Sequence, residues 1–177
     1  VADLHLEKGS HFAARGQMLP PYDTRETLHK LAEVIDAYDA ASIIALGDSF
    51  HDAEALERMD EADRETLAIM LADREWIWIT GNHDGEAGGA LGGHVLDELV
   101  VEGITFRHEP AAGARTHEIA GHMHPAARLV MNGTALRRPC FVGNGLRLVM
   151  PAFGAYTGGL NIMDDAFMPV FGDEGLS

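Results

Sequence analysis

Five short segments carry most of the side chains able to bind metal ions or move protons: Asp3-Leu4-His5, Gly47-Asp48, Gly81-Asn82-His83-Asp84, His108 and Gly121-His122-Met123-His124. Each offers a carboxylate, an amide oxygen or an imidazole. On an extended backbone alternate residues point the same way, so Asp3 and His5 reach one ion together or two adjacent ions, and so do His122 and His124. Glycine before Asp48, Asn82 and His122 lets the chain turn sharply there. The mixture of donors suits Mn, Fe or Zn better than Ca, which takes oxygen alone. Two such ions about 3.5–4 Å apart turn a shared water into hydroxide near neutral pH and draw charge from a phosphate. The chemistry such a donor set supports is metal-assisted hydrolysis.

The elements that must position these groups follow from pattern. Asp23-Thr24-Arg25-Glu26 reads as a helix start, and Leu28, Leu31, Ile35 and Tyr38 recur at helical spacing, predicting a helix over 24–38. Ser42–Leu46 and Trp76–Thr80 are short apolar strands, each followed by glycine, with a helical region over 53–72 interrupted near Asp60. Later come a hairpin over 100–108 turning at Glu102-Gly103, then strands at 118–120, 128–130, 140–142 and 146–150. Strand–helix alternation followed by a β-rich half predicts a layered α/β sandwich, sheets inside and helices outside. The candidate segments lie at strand ends, where open α/β sheets place ligands.

In that order the segments resemble the calcineurin-like metallophosphoesterases. The runs Asp3–Ser10, Leu19–Thr24, Pro151–Gly154 and Thr157–Leu160 resemble more closely the bacterial DNA-ligase-associated metallophosphoesterases. The resemblance implies a four-layer α/β/β/α sandwich with two central mixed sheets. It implies one ion on Asp3, His5, Asp48 and His124, and another on Asp48, Asn82, His108 and His122, with Asp48 bridging. His83 is then a catalytic, phosphate-contacting residue rather than a ligand, oriented by Asp52 or Asp84. Asn82 and Arg15 join it as substrate contacts. It also implies a phosphodiesterase or nuclease tied to DNA repair, a functional link to a DNA ligase and a homodimer.

Composition sets the outer bounds. The chain has 177 residues, read as one domain over 1–177, with 28 acidic against 13 basic residues and a formal charge of −15. That balance argues against a broadly basic nucleic-acid surface, though bound divalent ions would invert the local field. A single cysteine, Cys140, excludes an internal disulfide framework and fits a reducing, cytoplasmic compartment. No apolar run is long enough for a membrane helix. Val1-Ala2 reads as the tail of a buried strand that starts upstream, and a cleaved leader is compatible with it.

Blander readings hold for the remaining candidates. His11, His29 and His94 read as solvated; His51 reads either as lining the site or as a loop residue. Arg15 in the loop 9–16, with Arg137 and Arg138, are candidate phosphate grips. The five glycines of 85–93 read as a surface loop or a lid. Three functions compete: a metal-dependent phosphodiesterase, using Mn first and Fe or Zn as alternatives; a phosphomonoesterase acting on protein or metabolite; and a scaffold without activity. The last is disfavoured because every expected ligand position is filled.

Overall fold

The computed structural model describes residues 1–84, 87–113 and 117–171. Helix α1 (Lys8–Ala14) follows the first motif, and α2 (Asp23–Tyr38) precedes β1 (Ser42–Leu46). Next come α3 (Ala55–Arg58), α4 (Glu61–Ala72), β2 (Glu75–Ile79), α5 (Ala87–Ala90) and β3 (His94–Leu96). The β-rich half runs β4 (Glu98–Val101), β5 (Ile104–Arg107), β6 (Glu118–Ala120), β7 (Pro125–Met131), β8 (Thr134–Pro139), β9 (Val142–Gly143), β10 (Arg147–Val149) and β11 (Leu160–Asn161). A 3-10 turn (Asp165–Phe167) and α6 (Met168–Phe171) close it.

Among the described residues three sheets form, ordered β1-β2-β3, β4-β5-β6-β10-β9 and β11-β7-β8. The first is parallel throughout and the second mixed. Residues 1–6 run beside β1: Asp3 N–H donates to Gly47 O at 3.1 Å, and His5 N–H to Asp48 O at 2.9 Å.

Alternation along the strands builds the layers. Ile43, Ala45, Trp76 and Trp78 face Leu28, Leu31 and Ile35 of α2 and Leu67 of α4. On the opposite face Ile44, Leu46, Ile77 and Ile79 meet Leu99, Phe106 and Ile119 of the second sheet. That sheet's outer side packs Val142 and Val149 on Phe167 and Phe171, with Cys140 against them. The result is the expected α/β/β/α order, its last layer reduced to a 3-10 turn and one helical turn. Burying a side chain such as Leu or Phe contributes about 1.5–3 kcal/mol, so the two sheet faces carry much of the stability.

Several elements depart from the sequence reading. The 9–16 loop is largely helix α1; Gly9 hides it from propensity, yet is needed because a Cβ there would lie 2.5 Å from Asp23 Oδ1. Asp23 does not cap its own helix; its carboxylate accepts the Gly9 N–H at 2.9 Å and ties α1 to α2. Tyr38 is 80% exposed, so the apolar stripe of α2 ends at Ile35. Strand β8 was not expected, and the strand predicted over 140–142 shrinks to Val142–Gly143. In the glycine-rich stretch, residues 87–90 form α5 and Gly88 lies against Trp78, while 85 and 86 fall outside the described residues.

Candidate metal centre

The candidate segments converge at the carboxyl ends of parallel strands. Gly47-Asp48 follows β1, Gly81-Asn82-His83 follows β2, His108 follows β5 and Gly121–His124 follows β6. Asp3 and His5 arrive beside them on the segment paired with β1.

Among the described residues two groups of donors that could hold a metal ion form: Asp3, His5 and His124, and Asp48, His108 and His122. Within each group the donor atoms lie within 4.8 Å of one another, a fit for a dinuclear site. His124 Nε2 is 3.1 Å from Asp3 Oδ1. Asp48 Oδ2 stands between the groups, 3.5 Å from His108 Nε2 and 3.8 Å from His5 Nε2. Asn82 Oδ1 is 3.0 Å from His108 Nε2, and His122 Nδ1 is 3.1 Å from that nitrogen.

The backbone is bent to make this possible. Asp3, His5, Asp48, His122 and His124 all have φ between 44° and 67°, the left-handed region. For residues other than glycine this conformation costs roughly 1–3 kcal/mol each and clusters at functional sites. Two glycines leave room that a side chain would take. A Cβ at Gly81 would lie 2.2 Å from Asp48 N and 2.4 Å from Asp48 Oδ1; one at Gly121 would lie 2.6 Å from Asp3 Oδ2.

Outer contacts fix the donors. His108 Nδ1–H donates to Leu46 O at 2.8 Å, leaving its Nε2 to the centre. Asp3 accepts the His122 N–H at 3.0 Å, and Asp48 Oδ1 accepts the His83 N–H at 2.9 Å. Asp84, buried, accepts from Phe50 N–H at 2.8 Å and Gly81 N–H at 2.9 Å, joining the loops after β1 and β2.

Electrostatics follow from burial and pairing. Burial pushes the His5 imidazole down to about 3, so it is neutral and able to ligate. Burial opposes the Asp48 charge, but the hydrogen bond and charge of His108 outweigh it and hold Asp48 at about 2. Burial likewise opposes the His108 charge, and Asp48 overrides it, raising His108 to about 9. Asp84 is raised by burial.

His83 stands at the rim with its ring 5.3 Å from that of His5. Its Nδ1–H donates to the His51 carbonyl at 3.0 Å, and the His51 ring stacks on it at 5.4 Å. Neither Asp52 nor Asp84 bonds the His83 ring. Asp52 instead pairs with His11 and with Arg58 at 2.7 Å, and His11 packs edge-on against His51 at 4.5 Å. His11 therefore belongs to the wall of the site rather than to solvent. Its helical setting in α1 was the missing signal. Arg15 reaches His11 and the cleft with Asp52 and Arg58.

On the opposite flank, beside His122 and His124, opens a cleft of about 680 Å³ walled by Pro110, Met123, Leu160, Pro169 and Val170. Among the described residues no helix is long and apolar enough to cross a membrane.

No model of a protein family and no curated protein matches the chain. Among solved structures the chain is similar to the Pseudomonas putida nuclease MPE, at 31% identity and a TM-score of 0.76. The match covers 93% of this chain and 78% of that one. With that identity over that coverage, and with a metallophosphoesterase-like fold, the chain belongs to the family of the Pseudomonas putida nuclease MPE.

Proposed function

We propose that the protein is a metal-dependent phosphodiesterase, and within that class a nuclease, working with two divalent ions. The observation that carries this is Asp48, whose Oδ2 lies within 4 Å of imidazoles from both donor groups. The relative's name, a nuclease, supports a diester rather than a monoester substrate.

In this reading Asp3, His5 and His124, joined by Asp48, would hold one ion, and Asp48, His108 and His122, joined by Asn82, would hold the other. Mn is the ion proposed first, with Fe or Zn as alternatives, because the centre combines carboxylate, imidazole and amide oxygen. When bound, such ions supply Lewis acidity that makes water nucleophilic near neutral pH and offsets charge on the phosphate. The residues of the chain do the rest. Asp48 ties the two donor groups together and anchors the His83 backbone. Leu46 O fixes the His108 tautomer. The His51 carbonyl holds His83 Nδ1–H, which leaves Nε2 of the neutral ring as base or, when protonated, as the acid that meets the leaving oxygen. Asn82 and Arg15 are proposed substrate contacts. The link to DNA repair rests on the resemblance of the runs Asp3–Ser10, Leu19–Thr24, Pro151–Gly154 and Thr157–Leu160.

The test is direct. Protein stripped by a chelator and reloaded with Mn should cleave a bis-aryl phosphate, and faster than its monoester product. Absence of turnover with every divalent ion contradicts the proposal; a preference for the monoester moves it to a phosphatase.

A further inference from the structure

The acidic composition leaves open how a polynucleotide would be held, and the hairpin after the metal centre bears on this. Strand β7 begins at Pro125, directly after His124, and returns as β8. The hairpin carries Arg128, Arg137 and Arg138. In the register Arg128 stands opposite Arg137, so two guanidinium groups share one face of an antiparallel pair. Like charges in that position repel. Four arginines elsewhere lie beside carboxylates, Arg25 with Asp63, Arg58 with Asp52, Arg107 with Glu98 and Arg147 with Glu118, while Arg15 and Arg64 reach His11 and the Leu56 carbonyl instead. Among the described residues Arg128 and Arg137 have no such carboxylate. Both line a cleft with Asn161, whose strand β11 pairs with β7 next to His124.

We propose that the Arg128–Arg137 pair is a phosphate-backbone site for a single-stranded polynucleotide whose neighbouring diester lies at the metal centre. An anion between the two arginines removes their repulsion, and a phosphodiester carries one charge with free oxygens for both. Arg128 lies four positions after His124, so their Cα atoms are at most about 14 Å apart, within the span of a short oligonucleotide. The site thus offers local cationic grip on a chain of charge −15. It rests on the nuclease reading above and locates where the backbone beyond the cleaved diester would be held.

The test uses the full chain with Arg128→Ala/Arg137→Ala and, as a charge-preserving control, Arg128→Lys/Arg137→Lys. Binding of a fluorescent 12-nucleotide single-stranded DNA is followed by anisotropy from 50 to 200 mM salt, and Mn-loaded turnover is measured on a bis-aryl phosphate. The alanine pair should weaken binding at least tenfold at 50 mM salt and lower the log–log salt slope by about 0.7, for the one phosphate that both arginines hold on a single strand. The lysine pair should keep the slope, and small-diester turnover should be unchanged in both. Unaltered oligonucleotide binding in the alanine pair overturns the proposal, as does equal loss on both substrates. If the unaltered protein cleaves no diester, the nuclease reading fails, while the binding measurement still decides whether the arginines hold a strand.

Discussion

Asp48→Asn isolates the charge that the account places between two ions. The change keeps the shape of the side chain, and the amide oxygen is able to retain the His83 N–H bond now made at 2.9 Å. The atom at Oδ2 becomes an uncharged NH2 that donates where the carboxylate accepted. That atom lies 3.5 Å from His108 Nε2 and 3.8 Å from His5 Nε2, so positive charge seated at either imidazole is about 4 Å from it. At an effective dielectric of about 20, unit charges at that distance attract by about 4 kcal/mol, or close to 10³-fold in a binding constant. The free carboxylate is buried and already gives up hydration, which returns part of that energy on substitution. The expected loss is therefore about 10²-fold in Mn affinity, and it should fall on both ions. Calorimetric Mn titration, with metal content after gel filtration, reads both. Asp3→Asn is the control and should weaken the ion of its own group more than the other. If Asp48→Asn weakens one ion and leaves the second at full affinity, the carboxylate is not shared and the reasoning fails.

His83→Ala should keep both ions, because the backbone N–H to Asp48 remains, yet lose about 10²–10⁴-fold in turnover; metal content and kcat on a bis-aryl phosphate check it, and parallel loss of metal would contradict the role. Glu118→Ala breaks the buried ion pair with Arg147 at 2.8 Å, which links the neighbouring strands β6 and β10 of the second sheet, and should destabilise by about 3–5 kcal/mol, read as denaturant midpoint with metal stoichiometry intact. The metal-free protein should be most stable near pH 6.5, because His5, lowered to about 3, gives up stability as pH falls below about 6.5. His108, raised to about 9, contributes stability that is present below its unfolded value near 6.5 and lost as pH climbs through 9. Asp48, lowered to about 2, contributes stability that is present above about 4 and lost as pH falls toward 2. Melting temperature against pH in chelator tests both limbs, and a flat alkaline limb would remove the His108–Asp48 pairing.

The parts legible in the sequence were those where pattern and position coincide. The apolar runs of β1 and β2 announce buried strands, and their glycine-led Asp48 and Asn82 sites follow at once. The hairpin at Glu102-Gly103 was legible from its turn. What stayed hidden depends on contacts between distant residues. Gly9 conceals α1 because its lack of a Cβ answers to Asp23, fourteen residues away. Strand β8 shows no apolar alternation, since residues such as Arg137 and Arg138 face solvent. The left-handed backbone at Asp3, His5, Asp48, His122 and His124 is unreadable because neither Asp nor His advertises it as glycine does. The partner of His83 was sought among carboxylates, while the fold supplies the His51 carbonyl.

The central claim is that two ions, joined through Asp48, cleave a phosphodiester together. Stepwise addition of Mn to the stripped protein, with bis-aryl phosphate turnover followed at each step, tests it most directly. The account predicts that the rate stays low through the first equivalent and rises to its plateau with the second. A plateau reached at one equivalent, or no turnover at two, would contradict it.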